Sequence, residues 1–108
     1  MTKFVAEARA LDQIAALQPV LARLRRVDRS LADQLRRAAQ SVSLNLAEGN
    51  GRTGADRTHS FRCARASHLE VRNALDIARR SAYVRPDELV EVDRIADHLG
   101  RLLWGLAK

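Results

Sequence analysis

Apolar residues recur at intervals of three and four along almost the whole of this 108-residue sequence. That spacing places apolar side chains on one face of an α-helix, which has about 3.6 residues per turn. Ala and Leu supply most of the apolar content, whereas aromatic residues make up only 4%. Because Ala and Leu are among the best helix formers, the pattern predicts an all-α protein.

The apolar positions divide the chain into four predicted helices, at about residues 2–26, 30–48, 54–82 and 86–107. The first stripe comprises Phe4, Ala8, Leu11, Ile14, Ala15, Leu17, Leu21 and Leu24, and the second Leu31, Leu35, Ala38, Ala39, Val42 and Leu46. The third comprises Phe61, Ala64, His68, Val71, Leu75 and Ala78, and the fourth Leu89, Val92, Ile95, Ala96, Leu99, Leu102, Leu103 and Leu106. Short connections favour an antiparallel up-and-down four-helix bundle, formed as a single domain over residues 1–108.

Polar and glycine residues between the stripes predict where helices begin and end. Asp28 or Ser30 is suited to cap the second helix. Gly49-Asn50-Gly51 ends that helix with residues that tolerate a positive φ. Thr53 and Asp56 have the spacing of a capping box for the third helix.

The two prolines have different expected effects. Pro86, followed by two acidic residues, suits the first turn of the fourth helix. Pro19 lies inside the first helix, where a proline removes a hydrogen bond and clashes with the preceding turn. We expect a kink near residues 15–18, or a break of the helix into two pieces.

The charge is basic and concentrated in the middle of the chain. There are 19 Lys and Arg residues against 13 Asp and Glu, and 17 of these cations are Arg. Residues 20–85 carry 14 cations against 6 anions. This distribution fits nucleic-acid binding, or alternatively an arginine-rich surface that is only solvated. The candidate phosphate-binding residues are Arg25, Arg26, Arg29, Arg36, Arg52, Arg57, Arg62 and Arg65.

The sequence has no feature of a secreted or membrane protein. Cys63 is the single cysteine, so no intramolecular disulfide is possible. The first residues lack the apolar core of a signal peptide, and no apolar run approaches the ~18 residues that a membrane span needs. We therefore expect a soluble, cytoplasmic protein without a membrane partner.

Two further faces predict self-association. A polar stripe beside the core of the second helix comprises Gln34, Arg37, Ser41, Asn45 and Glu48. A seam of mostly small residues on the third helix comprises Cys63, Ser67, Glu70, Ala74, Ile77 and Ser81. Leu44, Val90 and Trp104 also lie off their core stripes. Since a monomeric bundle needs one buried stripe per helix, the expected contacts between copies are Leu44, Cys63, Ser67, Ala74, Ile77 and Trp104.

Residues 31–52, LADQLRRAAQSVSLNLAEGNGR, closely resemble a family signature. The family is that of the four-helix-bundle proteins encoded by intervening sequences in bacterial 23S rRNA genes. The matching positions are Gln34, Arg37, Ala38, Ser41, Asn45, Ala47, Glu48, Gly49 and Arg52. A second family segment, in the third helix, fits Phe61, Arg65-Ala66-Ser67 and Glu70 with a small shift.

The resemblance implies a left-turning four-helix bundle that assembles into a ring, typically a homopentamer, with no established enzymatic activity. Some relatives are similar to the accessory variability proteins of diversity-generating retroelements, which are basic pentamers that bind a reverse transcriptase and nucleic acid. The polar stripe is then a structural network, in which Glu48 and Glu70 pair with Arg37 or a neighbouring Arg and Asn45 ties the loop after the second helix. Pro19, and Ser43 where a proline often stands, depart from many relatives.

The sequence gives only weak support for a metal site, a catalytic nucleophile or a phosphate-binding loop. His59 and Cys63 have a spacing that suits a shared metal, but no third ligand is near in sequence. Ser41, Asn45 and Glu48 have no histidine base beside them. The Gly-rich stretch 49–54 lacks the Lys-Ser/Thr pair of a phosphate loop. We expect no enzyme activity, no cofactor and no metal.

The sequence thus predicts a non-enzymatic, oligomeric helical bundle that binds nucleic acid or a ribonucleoprotein partner through its arginine-rich surface. The expected partners are further copies of the chain, RNA or DNA, or a nucleic-acid-processing protein. The alternative is a protein-binding scaffold ring without a role in nucleic-acid binding. Because aromatic residues are few, contacts to the nucleic-acid backbone are favoured over stacking on single-stranded bases.

Overall fold

A computed structural model describes residues 2–108 as four α-helices with no β-strand among those residues. The helices are α1 (Thr2–Val27), α2 (Arg29–Asn50), α3 (Gly54–Arg80) and α4 (Val90–Leu106). A 3₁₀ turn, Pro86–Leu89, comes directly before α4. The prediction of an all-α protein with four helices is confirmed. The first turn of the predicted fourth helix is 3₁₀ rather than α-helical.

Consecutive helices contact each other in antiparallel order. Early residues of α3 meet late residues of α2, since the Phe61 ring packs against Gly49 while Ser67 bonds Ser41 further up the bundle. Contacts near both ends of α1 agree with this order. Asn50, at the end of α2, donates to Glu7 near the start of α1, and Arg23, near the end of α1, donates to the carbonyl of Tyr83 after α3. α1 also packs against α4, so that the four helices surround one hydrophobic core.

The predicted core stripes of α2, α3 and the fourth helical segment lie inside the molecule. The stripe of α1 is wrong in its first half, because Phe4 and Leu11 are exposed. Ala6, Ala10 and Gln13 are buried there instead. The periodicity favoured the largest apolar residues, whereas the core side of α1 carries small alanines, which allow neighbouring helices to approach closely.

α1 continues through Pro19 as one helix, so the break into two pieces, one of the two expected effects, is wrong. The other, a kink near residues 15–18, stays a prediction. Pro19 lies on the exposed side of the helix, and its neighbours Leu17, Val20 and Leu21 are buried. Packing of these side chains on both sides of the proline holds the helix together despite the missing backbone hydrogen bond.

The helix ends agree with the sequence in part. Asp28 is the N-cap of α2, and its carboxylate accepts a hydrogen bond from the Leu31 amide at 3.0 Å. The capping box predicted for α3 is wrong, because among the described residues the Thr53 side chain makes no capping hydrogen bond. Gly51 has a φ of −90°, and the positive φ of this connection falls on Gly54 instead. Among residues 2–108, no helix combines the length and the hydropathy that crossing a membrane requires.

Candidate nucleic-acid interface

The turn between α1 and α2 presents three exposed arginines at one end of the molecule. Only Asp28 separates the two helices, and its carboxylate is used as the N-cap of α2. Arg25 and Arg26 lie in the last turn of α1, and Arg29 opens α2. Within residues 2–108, none of the three makes a side-chain hydrogen bond or an ion pair. Their guanidinium groups are therefore available to an external anion.

The arginines near the opposite end have partners within the chain. Arg52 pairs with Glu48 at 3.1 Å. Arg57 Nε donates to the carbonyl oxygen of Gly49 at 3.2 Å, in the last turn of α2. Arg62 Nε donates to the carbonyl oxygen just after α4, at 3.1 Å. Carbonyl groups at the end of a helix carry partial negative charge, so these bonds stabilise the helix ends.

The remaining two candidates lie along the sides of the bundle. Arg36 donates to Gln40, one turn further along α2, and faces the side chains of α1. Arg65 lies over the Trp104 ring, with its guanidinium carbon 4.3 Å from the ring centroid.

The eight candidate arginines therefore do not form one surface, contrary to the sequence-based expectation of a single basic central segment. The molecule is 43 Å long, and the turns after α1 and after α2 lie at opposite ends of it. Antiparallel packing separates them because each helix reverses the direction of the one before. The basic charge is divided between the two ends.

The polar stripe of α2 lines an open groove of about 640 Å³ between α2 and α3. The lining residues are Gln34, Arg37, Ala38, Ser41, Ser67, Leu69, Glu70, Asn73, Ala74 and Ile77. A second depression of about 420 Å³ continues along α2 and is lined by Arg37, Gln40, Ser41, Leu44, Asn45 and Glu48. The residues of the two signature segments thus meet on one face of the molecule, which we call the signature groove.

Hydrogen bonds in the signature groove differ in part from those implied by the resemblance. Ser41 Oγ and Ser67 Oγ are 2.8 Å apart and join α2 to α3. Asn45 Nδ2 donates to the Ser41 carbonyl at 2.9 Å and to Ser41 Oγ at 3.1 Å, so its expected bond to the following loop is wrong. Arg37 and Glu70 share the groove but form no ion pair within residues 2–108.

The expected contacts between copies divide into exposed and internal residues. Leu44, Ile77 and Trp104 are exposed. Ala74 is already buried in the single chain, and Ser67 bonds to α2. The small-residue seam therefore serves in part the close packing of α3 on α2, because small side chains allow two helices to approach.

Cys63 and Leu69 complete the surface of α3. Cys63 is half-buried, with Sγ 3.6 Å from Nε2 of His59. Leu69 is 58% exposed, and it lines both the signature groove and a groove between α3 and α4. Leu69 is not among the interface residues predicted from the sequence, although its position off the apolar stripe of α3 is a signal that could have identified it.

The chemistry of the described residues does not assemble into a metal site or a catalytic triad. Within residues 2–108, no three His, Cys, Asp or Glu side chains come together to hold a metal ion. His68 is buried, and burial lowers its pKa from the ordinary value of 6.5. Its Nε2 donates to the Ala96 carbonyl at 3.0 Å, so the ring connects α3 to α4.

The fold and the signature groove define a small helical-bundle protein whose characteristic residues lie between its second and third helices. The family model of the 23S rRNA-intervening sequence proteins matches residues 9–105, and the chain belongs to this family.

Comparison with solved structures shows the same fold in a protein of unknown function from the S23 ribosomal protein family of Bacteroides thetaiotaomicron. The TM-score is 0.90 at 16% sequence identity, over 99% of this chain and 98% of the other. The comparison with curated proteins finds no match.

Proposed function

We propose that the chain forms a non-enzymatic homo-oligomeric ring that binds structured nucleic acid, or a ribonucleoprotein, through the arginines of the α1–α2 turn. The observation that carries this proposal is the group of Arg25, Arg26 and Arg29, which are exposed and without partners among residues 2–108. Arginine suits phosphate because its planar group offers several donors at once.

Oligomerisation strengthens this site by repetition. In a closed ring, each subunit presents the same three arginines, so a modest patch becomes a band of positive charge. Binding then depends on contacts to the phosphate backbone and is only weakly specific for sequence.

The signature groove is the surface that we propose for contacts between copies, and a homopentamer is the assembly that the family resemblance favours. Exposed Leu44, Leu69 and Ile77 border the groove. Arg37 and Glu70 lie in it without a charged partner in residues 2–108. A neighbouring subunit that covers this face supplies partners for the two charges and removes the leucine surface from water.

The rival function is a scaffold ring that binds only protein. The partners of Arg36, Arg52, Arg57, Arg62 and Arg65 within the chain favour it, because these arginines already have a structural use. The two functions differ in whether the α1–α2 arginines bind polyanions.

Fluorescence anisotropy with structured RNA and duplex DNA across a salt series separates them. We expect the affinity to fall steeply as the salt concentration rises. R25Q/R26Q/R29Q should reduce the magnitude of the slope of log K against log salt by about 3 for each α1–α2 turn that contacts the nucleic acid. The matched control, R9Q/R85Q/R94Q, removes three arginines that are ion-paired on the surface and should retain most of the slope. R52Q/R57Q tests the opposite end.

Two outcomes contradict the proposal. Absence of binding at low salt by the intact oligomer rejects the nucleic-acid role and leaves the protein scaffold. Binding that is reduced equally by the turn variant and by its control shows that only net charge matters, and not the α1–α2 turn.

A further inference from the structure

Trp104 is the chain's one tryptophan, and 55% of its surface is exposed. It borders an open groove of about 620 Å³ between α3 and α4, which we call the tryptophan groove. The lining residues are His68, Leu69, Arg72, Ala96, Asp97, Gly100, Arg101 and Trp104. A tryptophan that remains half exposed beside a groove is typical of a binding surface, because its large apolar ring gains from being covered.

Positive charge surrounds this ring. The Arg65 guanidinium lies 4.3 Å from the ring centroid and the Lys108 ammonium 6.0 Å from it. Arg101 lines the same groove. The only carboxylate among the lining residues, Asp97, accepts a hydrogen bond from Arg72 and is therefore neutralised. The tryptophan groove is consequently suited to an anion that also carries a flat apolar group.

We propose that Trp104 stacks one unpaired base of a bound nucleic-acid strand, while Arg65, Arg101 and Lys108 contact the phosphates on either side. This inference rests on the proposed nucleic-acid function and specifies the kind of nucleotide that is bound. An indole ring and a guanidinium plane are both surfaces on which bases stack. A base inside a duplex already has neighbours on both faces, so the groove selects a nucleotide at a bulge, a loop or a strand end.

Trp104 is the one exposed aromatic side chain that lines the tryptophan groove, which limits this recognition to one base for each subunit. Phe4 is exposed near the start of α1 but does not line the tryptophan groove, and Phe61 is buried in the core. Tyr83 lies beyond α3, at the end of the molecule where the Arg23 side chain donates to its carbonyl oxygen. A series of stacked bases, as in proteins that bind long single strands, has no further platform in the tryptophan groove. Backbone contacts therefore remain the main source of affinity, and stacking adds a preference for structured strands with one unpaired position.

The experiment uses two blunt-ended RNA hairpins with equal numbers of phosphates, each closed by a polyether linker that carries no base. One has a fully paired stem, and the other has a single unpaired 2-aminopurine in the stem. Anisotropy measures the affinity of the full-length protein for each hairpin. We expect the bulged hairpin to bind roughly 5- to 100-fold more tightly, and its 2-aminopurine fluorescence to be quenched on stacking.

Three variants test whether the indole group of Trp104 causes the preference for the bulged hairpin. W104L should remove both the preference and the quenching but retain the affinity for the paired hairpin. W104F should retain part of both, because a phenyl ring still stacks. V90A, which shortens another exposed apolar side chain on the same helix, should behave like the parent protein. Circular dichroism checks that each variant keeps its helices.

The experiment distinguishes failure of the stacking proposal from failure of the proposed nucleic-acid function. Equal affinity for the two hairpins, or a preference that survives in W104L, overturns the stacking proposal while backbone binding stands. Absence of binding to either hairpin at low salt overturns both. In that case, quenching of Trp104 fluorescence by polyglutamate would assign the tryptophan groove to an acidic protein partner.

Discussion

Gly49 is a residue of the signature segment whose small size has a steric reason. Its position in the last turn of α2 faces the Phe61 ring of α3. A Cβ atom at residue 49 would lie 2.5 Å from Phe61 Cε1 and 2.7 Å from Cδ1, which is far inside van der Waals contact. Phe61 is a buried core residue, so its ring has little room to move. The glycine is therefore required for the close approach of α3.

G49A should destabilise the protein by about 1–3 kcal/mol, because the added methyl group displaces the Phe61 ring. G105A is the control, since the space around Gly105 in α4 is open. There alanine should raise stability by about 0.5–1 kcal/mol. Urea denaturation followed by circular dichroism measures both changes. A G49A variant as stable as the parent would contradict the steric explanation.

His68 is a second residue whose role is set by its surroundings. Burial is the main cause of its lowered pKa, and the nearby Arg72 guanidinium lowers the pKa further. The bond to the Ala96 carbonyl and the charge of Asp97 act in the opposite direction. Nδ1 is buried and has no hydrogen-bond partner in the described part of the chain, so protonation would place a charge where no acceptor receives its proton.

Acid should therefore weaken the fold through His68. Its folded-state pKa lies below the unfolded value of 6.5, so the neutral ring contributes fully above pH 6.5. This contribution is lost as the pH falls from 6.5 through the lowered folded-state pKa, with a slope of up to about 1.4 kcal/mol per pH unit. Urea denaturation across this range measures the slope. H68Q should flatten it, whereas the control H98Q should leave it unchanged.

At the scale of the element, the end of α3 shows how a helix is stopped without glycine. The Tyr83 amide donates to the Ala78 carbonyl at 3.0 Å, and the Ala82 amide donates to the Arg79 carbonyl at 3.1 Å. These two bonds form a Schellman motif, which needs a residue with positive φ. Ala82 supplies it with a φ of 57°, a conformation in which its Cβ is crowded.

A82G should stabilise the protein by about 1 kcal/mol, because glycine adopts this φ without steric cost. A66G, an exposed position in the middle of α3, should lower stability by a similar amount, since glycine is a poor residue inside a helix. The difference between the two variants in thermal unfolding measures the effect of the backbone conformation. Equal destabilisation by both would show that Ala82 is not strained.

At the scale of the whole molecule, the surface has three distinct regions. The α1–α2 turn at one end carries arginines that have no partner within residues 2–108, and the tryptophan groove lies between α3 and α4 toward the other end. The signature groove occupies the side between α2 and α3. The signature groove and the tryptophan groove meet at Leu69, whereas the α1–α2 turn is separate from both. Nucleic acid at the α1–α2 turn and neighbouring subunits at the signature groove can therefore bind at the same time.

A charge placed on the rim of the signature groove should dissociate the proposed ring. L44D and L69D each put a carboxylate on an exposed leucine that borders the groove. We expect sedimentation velocity to show the parent protein as an oligomer and both variants shifted toward the 12.1 kDa chain. V90D, an exposed position that does not line the groove, is the control. A monomeric parent protein, or dissociation by V90D alone, would contradict the proposed interface.

Local patterns in the sequence were sufficient to predict the four helices and most of the faces that they bury in the core. Helix formation and amphipathicity depend on residues three and four apart, so the stripes of α2, α3 and α4 could be read directly. The signature residues were also identified from the sequence, although their hydrogen bonds were not. The bond of Asn45 back to Ser41 competes with one to the following loop, and only the packed helices select between them.

The tertiary structure decided which residues of one type, such as the arginines or the small residues, lie close together in space. The arginines follow one another in sequence, but antiparallel packing places them toward opposite ends of a molecule that is 43 Å long. Small residues on α1 and α3 lie where neighbouring helices pack closely. Their role could not be predicted from one segment, because the distance between two packed helices depends on the side chains of both. The sequence by itself determined the helices and their signature residues, because these depend on neighbours along the chain. The tertiary structure decided which charges remain free and which faces stay open, because these depend on residues that are distant in sequence.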